Sequence, residues 1–175
     1  MNAVNIMPEV IRLGPLGWVP NNPRLPVLFY HDAIPSDGIE HAIGFEGAFG
    51  LHGWPAQWRG GIYDFHHYHS NAHEVLGVVS GSAWLMLGGP GGRLVRFKAG
   101  DVVVLPAGTG HRRVEASDDF VVVGAYPPGQ RWNLCRESDG PPAEAVLARI
   151  ARVPFPSSDP VYGDEGPLIA LWRHG

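Results

Sequence analysis

Between Gly60 and Tyr126 the chain is cut by turn signals about every ten residues, and this punctuation limits its fold more than any other feature. Seven short segments rich in valine or aromatics lie between the breaks: Ile62–His69, Glu74–Ser80, Ala83–Leu87, Leu94–Phe97, Asp101–Leu105, His111–Glu115 and Phe120–Tyr126. The breaks are Ser70-Asn71, Gly81-Ser82, Gly88-Gly89-Pro90-Gly91-Gly92, Ala99-Gly100, Ala107-Gly108 and Ser117-Asp118-Asp119. Short strands at close, regular spacing predict an all-β sandwich or barrel rather than βαβ units. The wider composition agrees, because 24 Gly and 17 Pro among 175 residues disfavour long helices.

Flanking this core, Val10–Leu13 and Pro26–Tyr30 read as short strands within an extended, proline-rich stretch over residues 8–30. One helix is expected from an N-cap at Ser36 or Asp37, with Ile39, Ala42, Ile43 and Phe49 on one face, ending at Gly50 and Gly53. A second is expected from Pro141-Pro142, with a stripe of Val146, Leu147 and Ile150, stopped by Pro154. The end from Val153 reads as extended, with Phe155, Tyr162 and Trp172 available to pack. The expected organisation is a single domain over 1–175: an N-terminal arm (1–35), a barrel core (about 60–126) and a C-terminal helix and tail (139–175).

A formal charge of −4 and a pI near 6.1 give no electrostatic reason to expect nucleic acid or an anionic membrane. No apolar run approaches the roughly 18 residues of a membrane span. The first residues lack the basic and apolar regions of a signal peptide. With one cysteine, Cys135, read as structural, a cytoplasmic location is expected.

Four of the nine histidines fall within His66-His67-Tyr68-His69-Ser70-Asn71-Ala72-His73, followed by Glu74. Residues two apart on a strand share a face, so His67 and His69 point one way, with Tyr63 and Phe65, and His66 points the other. A turn at Ser70-Asn71 would reset the parity for Glu74. A rolled antiparallel sheet could bring His111 over the same face. Three imidazoles and a carboxylate suit Fe, Mn, Ni, Zn, Cu or Co and leave coordination positions open for metal-assisted chemistry. Ordinary hydrogen-bonded histidines are the alternative reading.

The spacing carries a resemblance. Gly61, five residues, His67, one residue, His69, four residues, Glu74, six residues, Gly81 is similar to the first motif of the cupin superfamily. Gly100, five residues, Pro106, one residue, Gly108, two residues, His111 is similar to most of the second, with 18 residues between the two. The stretches HHYHSNAHEVLGVVSG, GDVVVLPAGTGH and DFVVVGAYPPGQ, with Gly53-Trp54-Pro55 and Trp58 upstream, resemble one subgroup of small single-domain bacterial cupins, the YjlB-like group. The resemblance implies a double-stranded β-helix, or jelly-roll barrel, with one or two short flanking helices. It implies His67, His69, Glu74 and His111 as ligands of a divalent transition metal (Fe, Mn, Ni or Zn), and Gly61, Gly81, Gly100 and Gly108 as turn positions. Glu115 stands where the second motif usually has Asn, and no role is assigned to it.

Around these residues each functional reading has a plainer rival. His73 could orient Glu74 or shuttle a proton, or be a solvent-facing turn residue. Tyr63 could donate to a substrate or pack in the core. Arg112 or Arg113 could clamp an anion or end a solvated strand. Trp54 and Trp58 are expected to anchor packing over the barrel mouth. The expected function is a metal-dependent enzyme of oxygenase, isomerase or lyase type acting on a small polar metabolite. The alternative is a non-catalytic module that binds a small ligand or metal. A homodimer is expected because the N-terminal strand needs a sheet to pair with.

Overall fold

The computed structural model describes residues 7–34 and 43–173. The eleven strands are β1 (Glu9–Ile11), β2 (Val27–Tyr30), β3 (Ala56–Gly60), β4 (His67–Tyr68), β5 (Glu74–Ser80), β6 (Ser82–Leu87), β7 (Arg93–Lys98), β8 (Val102–Leu105), β9 (His111–Ala116), β10 (Val121–Ala125) and β11 (Cys135–Arg136). They form two antiparallel sheets, ordered β1-β2-β8-β5-β10-β3 and β11-β4-β9-β6-β7. Among the described residues three α-helices accompany them: α1 (Ile43–Leu51), α2 (Glu144–Arg152) and α3 (Pro167–Arg173).

The six-stranded sheet is buried on both faces, which is why β8 reads as an unbroken Val-Val-Val-Leu. One face packs across to the other sheet through Phe29, Leu76, Val78, Leu85, Leu87, Phe97, Val103 and Val122. The opposite face, carrying Leu28, Tyr30, Val75, Val102, Val104 and Val123, packs on Phe45 and Phe49 of α1, Trp54, and Leu168 and Trp172 of α3. Two glycines permit these close layers. A Cβ at Gly77 of β5 would lie 2.5 Å from the Phe45 ring, and one at Gly124 of β10 would lie 2.2 Å from the Trp58 ring.

Several expectations are corrected. β3 begins before Gly60, and of the expected strand Ile62–His69 only His67–Tyr68 is regular. The C-terminal stretch is not all extended, because α3 starts at Pro167, where a missing N–H costs nothing. The three helices are one more than expected. For the first helix, the expected cap at Ser36 or Asp37, with Ile39 and Ala42, lies outside the described residues. Gly81, Gly100 and Gly108 have positive φ, but Gly61 does not, and a Cβ there would meet nothing within 4 Å. The N-terminal strand finds its partner within the chain, β1 pairing with β2 and β2 with β8, so the stated reason for a dimer falls. Among the described residues no helix is long and apolar enough to cross a membrane.

Candidate metal centre

Strand pairing brings the sequence-distant histidines together. His67 on β4 is the direct register partner of His111 on β9, and their ring centroids are 4.1 Å apart. His69 lies just past β4, in the short link to β5. That link, with bends at Ser70 and Asn71, turns Glu74 inward at the start of β5. One ring nitrogen from each of His67, His69 and His111 lies within 4.8 Å of the others. Glu74 Oε2 lies 3.4 Å from His69 Nε2 and Oε1 lies 3.3 Å from His111 Nε2. All four side chains are buried.

Backbone carbonyls fix the tautomers. Nδ1 of His67 donates to Phe65 O at 2.9 Å, Nδ1 of His111 donates to Thr109 O at 3.0 Å, and Nδ1 of His69 donates to Asn133 O. A neutral imidazole that donates from Nδ1 presents a lone pair at Nε2, so each ring, when neutral, turns an acceptor inward. Burial pulls the His67 pKa down to about 2, keeping that ring neutral. Burial also opposes charge on His69, but the Glu74 carboxylate overcomes it and raises the pKa. Glu74 is penalised by burial too, yet His69 and His111 hold it well below the usual carboxylate range. Nitrogen lone pairs and an ionised carboxylate converging in a buried space are matched by a cation. The donor set therefore fits a divalent transition metal.

These groups line a cavity of about 340 Å³ walled by Trp58, Ile62, Leu76, Trp132 and Leu134. Tyr63 stands at its edge, 55 % exposed, with its ring 5.3 Å from that of His67. Tyr126, overlooked in the sequence, donates its hydroxyl hydrogen to Glu74 Oε2 and accepts one from Trp58 Nε1 at 2.8 Å. Burial and the adjacent carboxylate push its pKa far up, so the phenol keeps its proton. Asn133 is the other omission. Besides holding His69, its Oδ1 accepts from Ser70 N–H at 2.8 Å, and its own N–H donates to Asn71 Oδ1 at 2.9 Å.

Other candidates lie elsewhere. His73 is neither solvent-facing nor in this cavity. It is 1 % exposed, lies just before β5, and packs its ring against Trp172. Arg112 and Arg113 are outside the lining, Arg113 reaching 4.0 Å from Asp64 at the surface. Trp54 fills the core beneath the six-stranded sheet and donates to Ser158 O at 2.9 Å, away from the mouth. Glu115 is on the exposed outer side of β9, opposite Trp84.

Comparison with known proteins gives the family. Residues 59–126 match the family described as Cupin. The chain is 38% identical over 156 residues to the Bacillus subtilis (strain 168) protein called "Uncharacterized protein YjlB", covering 89% of this chain and 91% of that one. Among solved structures it is similar to an acireductone dioxygenase from Bacillus anthracis with a cadmium ion in its active centre. That likeness covers 59% of this chain and 79% of the other, at 17% identity and a TM-score of 0.41. A Bacillus subtilis oxalate decarboxylase is similar over 55% of this chain and 29% of its own, at 18% identity and a TM-score of 0.34. With a relative aligned along almost its whole length and the barrel core matched to the family, the chain belongs to the cupins.

Proposed function

We propose that this cupin binds a divalent transition metal (Fe, Mn, Ni or Zn) through His67, His69, Glu74 and His111, and acts on a small polar metabolite in the same cavity. The reaction would be of oxygenase, isomerase or lyase type. The observation that carries this reading is the convergence of His69 and His111 Nε2 on the Glu74 carboxylate, with a His67 ring nitrogen within 4.8 Å of both histidines and each ring oriented by a carbonyl behind it. A bound ion would supply Lewis acidity or redox capacity at this point. The chain's own residues do the rest. Tyr126 holds one carboxylate oxygen, so Glu74 keeps its orientation. Trp58, Leu76, Trp132 and Leu134 shed water and limit substrate size. Tyr63, at the edge, offers a hydroxyl to an arriving polar group.

One observation favours the alternative of a non-catalytic ligand- or metal-binding module. With His73 elsewhere, the cavity lining contains, among the described residues, no titratable side chain beyond the four proposed ligands and two tyrosines. Elemental analysis of the purified protein tests the site, with metal expected in the wild type and lost in His67→Ala and His111→Ala. Unchanged metal in both variants would refute the assignment. Oxygen uptake and product formation, screened over a metabolite library in each metal form, separate enzyme from module. Saturable binding without turnover in every form would establish the module.

A further inference from the structure

The imidazole of His73 has one nitrogen satisfied and one stranded. Nδ1 accepts a hydrogen bond from the Ala107 backbone N–H at 2.9 Å. A ring nitrogen that accepts carries no proton, so the proton of the neutral imidazole sits on Nε2. That Nε2–H is buried and has no acceptor among the described residues, an arrangement that native interiors rarely leave uncompensated.

His73 lines a second cavity, of about 400 Å³, where the stretch 15–25 faces the C-terminal half of α2 and the residues after it. This size falls in the range of small-molecule sites, roughly 300–1,000 Å³. The lining has no residue in common with that of the metal cavity. Its walls are apolar: Val19, Leu25, Leu147, Ile150, Val153 and Phe155. Four prolines, at 15, 20, 23 and 142, also line it, and their fixed φ stiffens the enclosure.

The other polar side chains of this cavity are already engaged or lie outside its interior. Asn21 bonds the carbonyls of Gly14 and Gly88 and the N–H of Gly110. Asn22 bonds the Ala107 carbonyl and the N–H groups of Arg24 and Leu25. Arg24 is exposed. The interior thus offers one unmatched donor among hydrocarbon walls. A lone water fits poorly, because buried waters make about three hydrogen bonds. An anion would lack a buried counter-charge, and an alcohol would bring a donor of its own to strand. A carbonyl oxygen accepts and donates nothing.

We infer that this cavity is a second ligand site, taking a small, neutral, largely apolar molecule whose carbonyl oxygen accepts from His73 Nε2–H. The site does not depend on the proposed metal.

Calorimetry of the whole protein, as purified, with methyl ketones from 2-heptanone to 2-undecanone tests it, together with crystals soaked in the best binder. One saturable site is expected, with the ketone oxygen on His73 Nε2. His73→Phe removes the donor and keeps an aromatic ring against Trp172; it should weaken binding about tenfold. Leu147→Trp fills the cavity from a helix position that is 45 % exposed and should abolish binding while preserving the melting temperature and metal content. His67→Ala should bind the ketone as the wild type does. The inference is overturned by absence of saturable binding across the series, by unchanged affinity in Leu147→Trp, or by ketone density in the metal cavity. Should His73→Phe fail to fold, the Leu147→Trp comparison still decides.

Discussion

Glu74 is held by a residue 52 positions away along the chain, through the hydroxyl of Tyr126. That phenol is in turn fixed by the Trp58 indole N–H. Groups that orient a metal ligand commonly contribute 10–100-fold to metal affinity. Tyr126→Phe, which removes one hydroxyl and leaves the ring, is therefore expected to weaken metal binding by about that factor, with an unchanged circular dichroism spectrum; competition against a chelator measures it. At this scale the sequence was legible where local spacing carried the information. His67, His69, Glu74 and His111 stand at motif offsets, but Tyr126 and Asn133 are common residue types whose roles depend on sheet register and a loop. His73 was misread, since the sequence suggested either a partner for Glu74 or an exposed turn residue, whereas it is buried. Its packing against Trp172 needed α3 to be known.

Strands β5 and β10 lie side by side, and each carries a glycine under an aromatic ring, with different consequences. Gly77→Ala pushes a methyl group into Phe45, on the helix-covered face. It should cost about 1–3 kcal/mol of stability by overpacking and leave the metal content intact. Gly124→Ala drives into the Trp58 indole, which supports Tyr126 and through it Glu74, so it should weaken metal binding as well. Urea unfolding and metal titration of the two variants, side by side, check the contrast. Most strands of the core could be read from valine-rich runs between glycine turns. β3 could not, because Ala56-Gln57-Trp58-Arg59-Gly60 has only two apolar positions and sits at the sheet edge. α3 was hidden by its own first residue, a proline among several in a stretch that otherwise looked extended. At 62–66 the alternation of Tyr63-Asp64-Phe65-His66 does not make a strand, although Tyr63 O accepts from Arg113 N–H at 2.8 Å.

For the whole molecule, the proposed ligands and their supports span residues 58 to 133 and come together only when both sheets have closed. An unfolded chain offers no such cluster, so metal should stabilise the folded state by about 2.7 kcal/mol at a free concentration one hundred times Kd. For a chain of this size that corresponds to a rise of roughly 5–10 °C in Tm. Thermal unfolding with and without chelator measures it, and His111→Ala should show no rise. The folded molecule also holds two cavities with no lining residue in common. An indole packs against a lining side chain of each, in a different setting. Trp132 is 43 % exposed and stacked on Tyr126 at 4.5 Å, whereas Trp172 is 2 % exposed and tilted against His73 at 4.9 Å. Emission from a wet indole lies to the red of that from a dry one, and with six tryptophans in the chain these two supply only part of each band, Trp84 being exposed as well and Trp54 buried. A quencher at the metal centre should therefore dim part of the red emission, and a guest beside His73 should alter part of the blue.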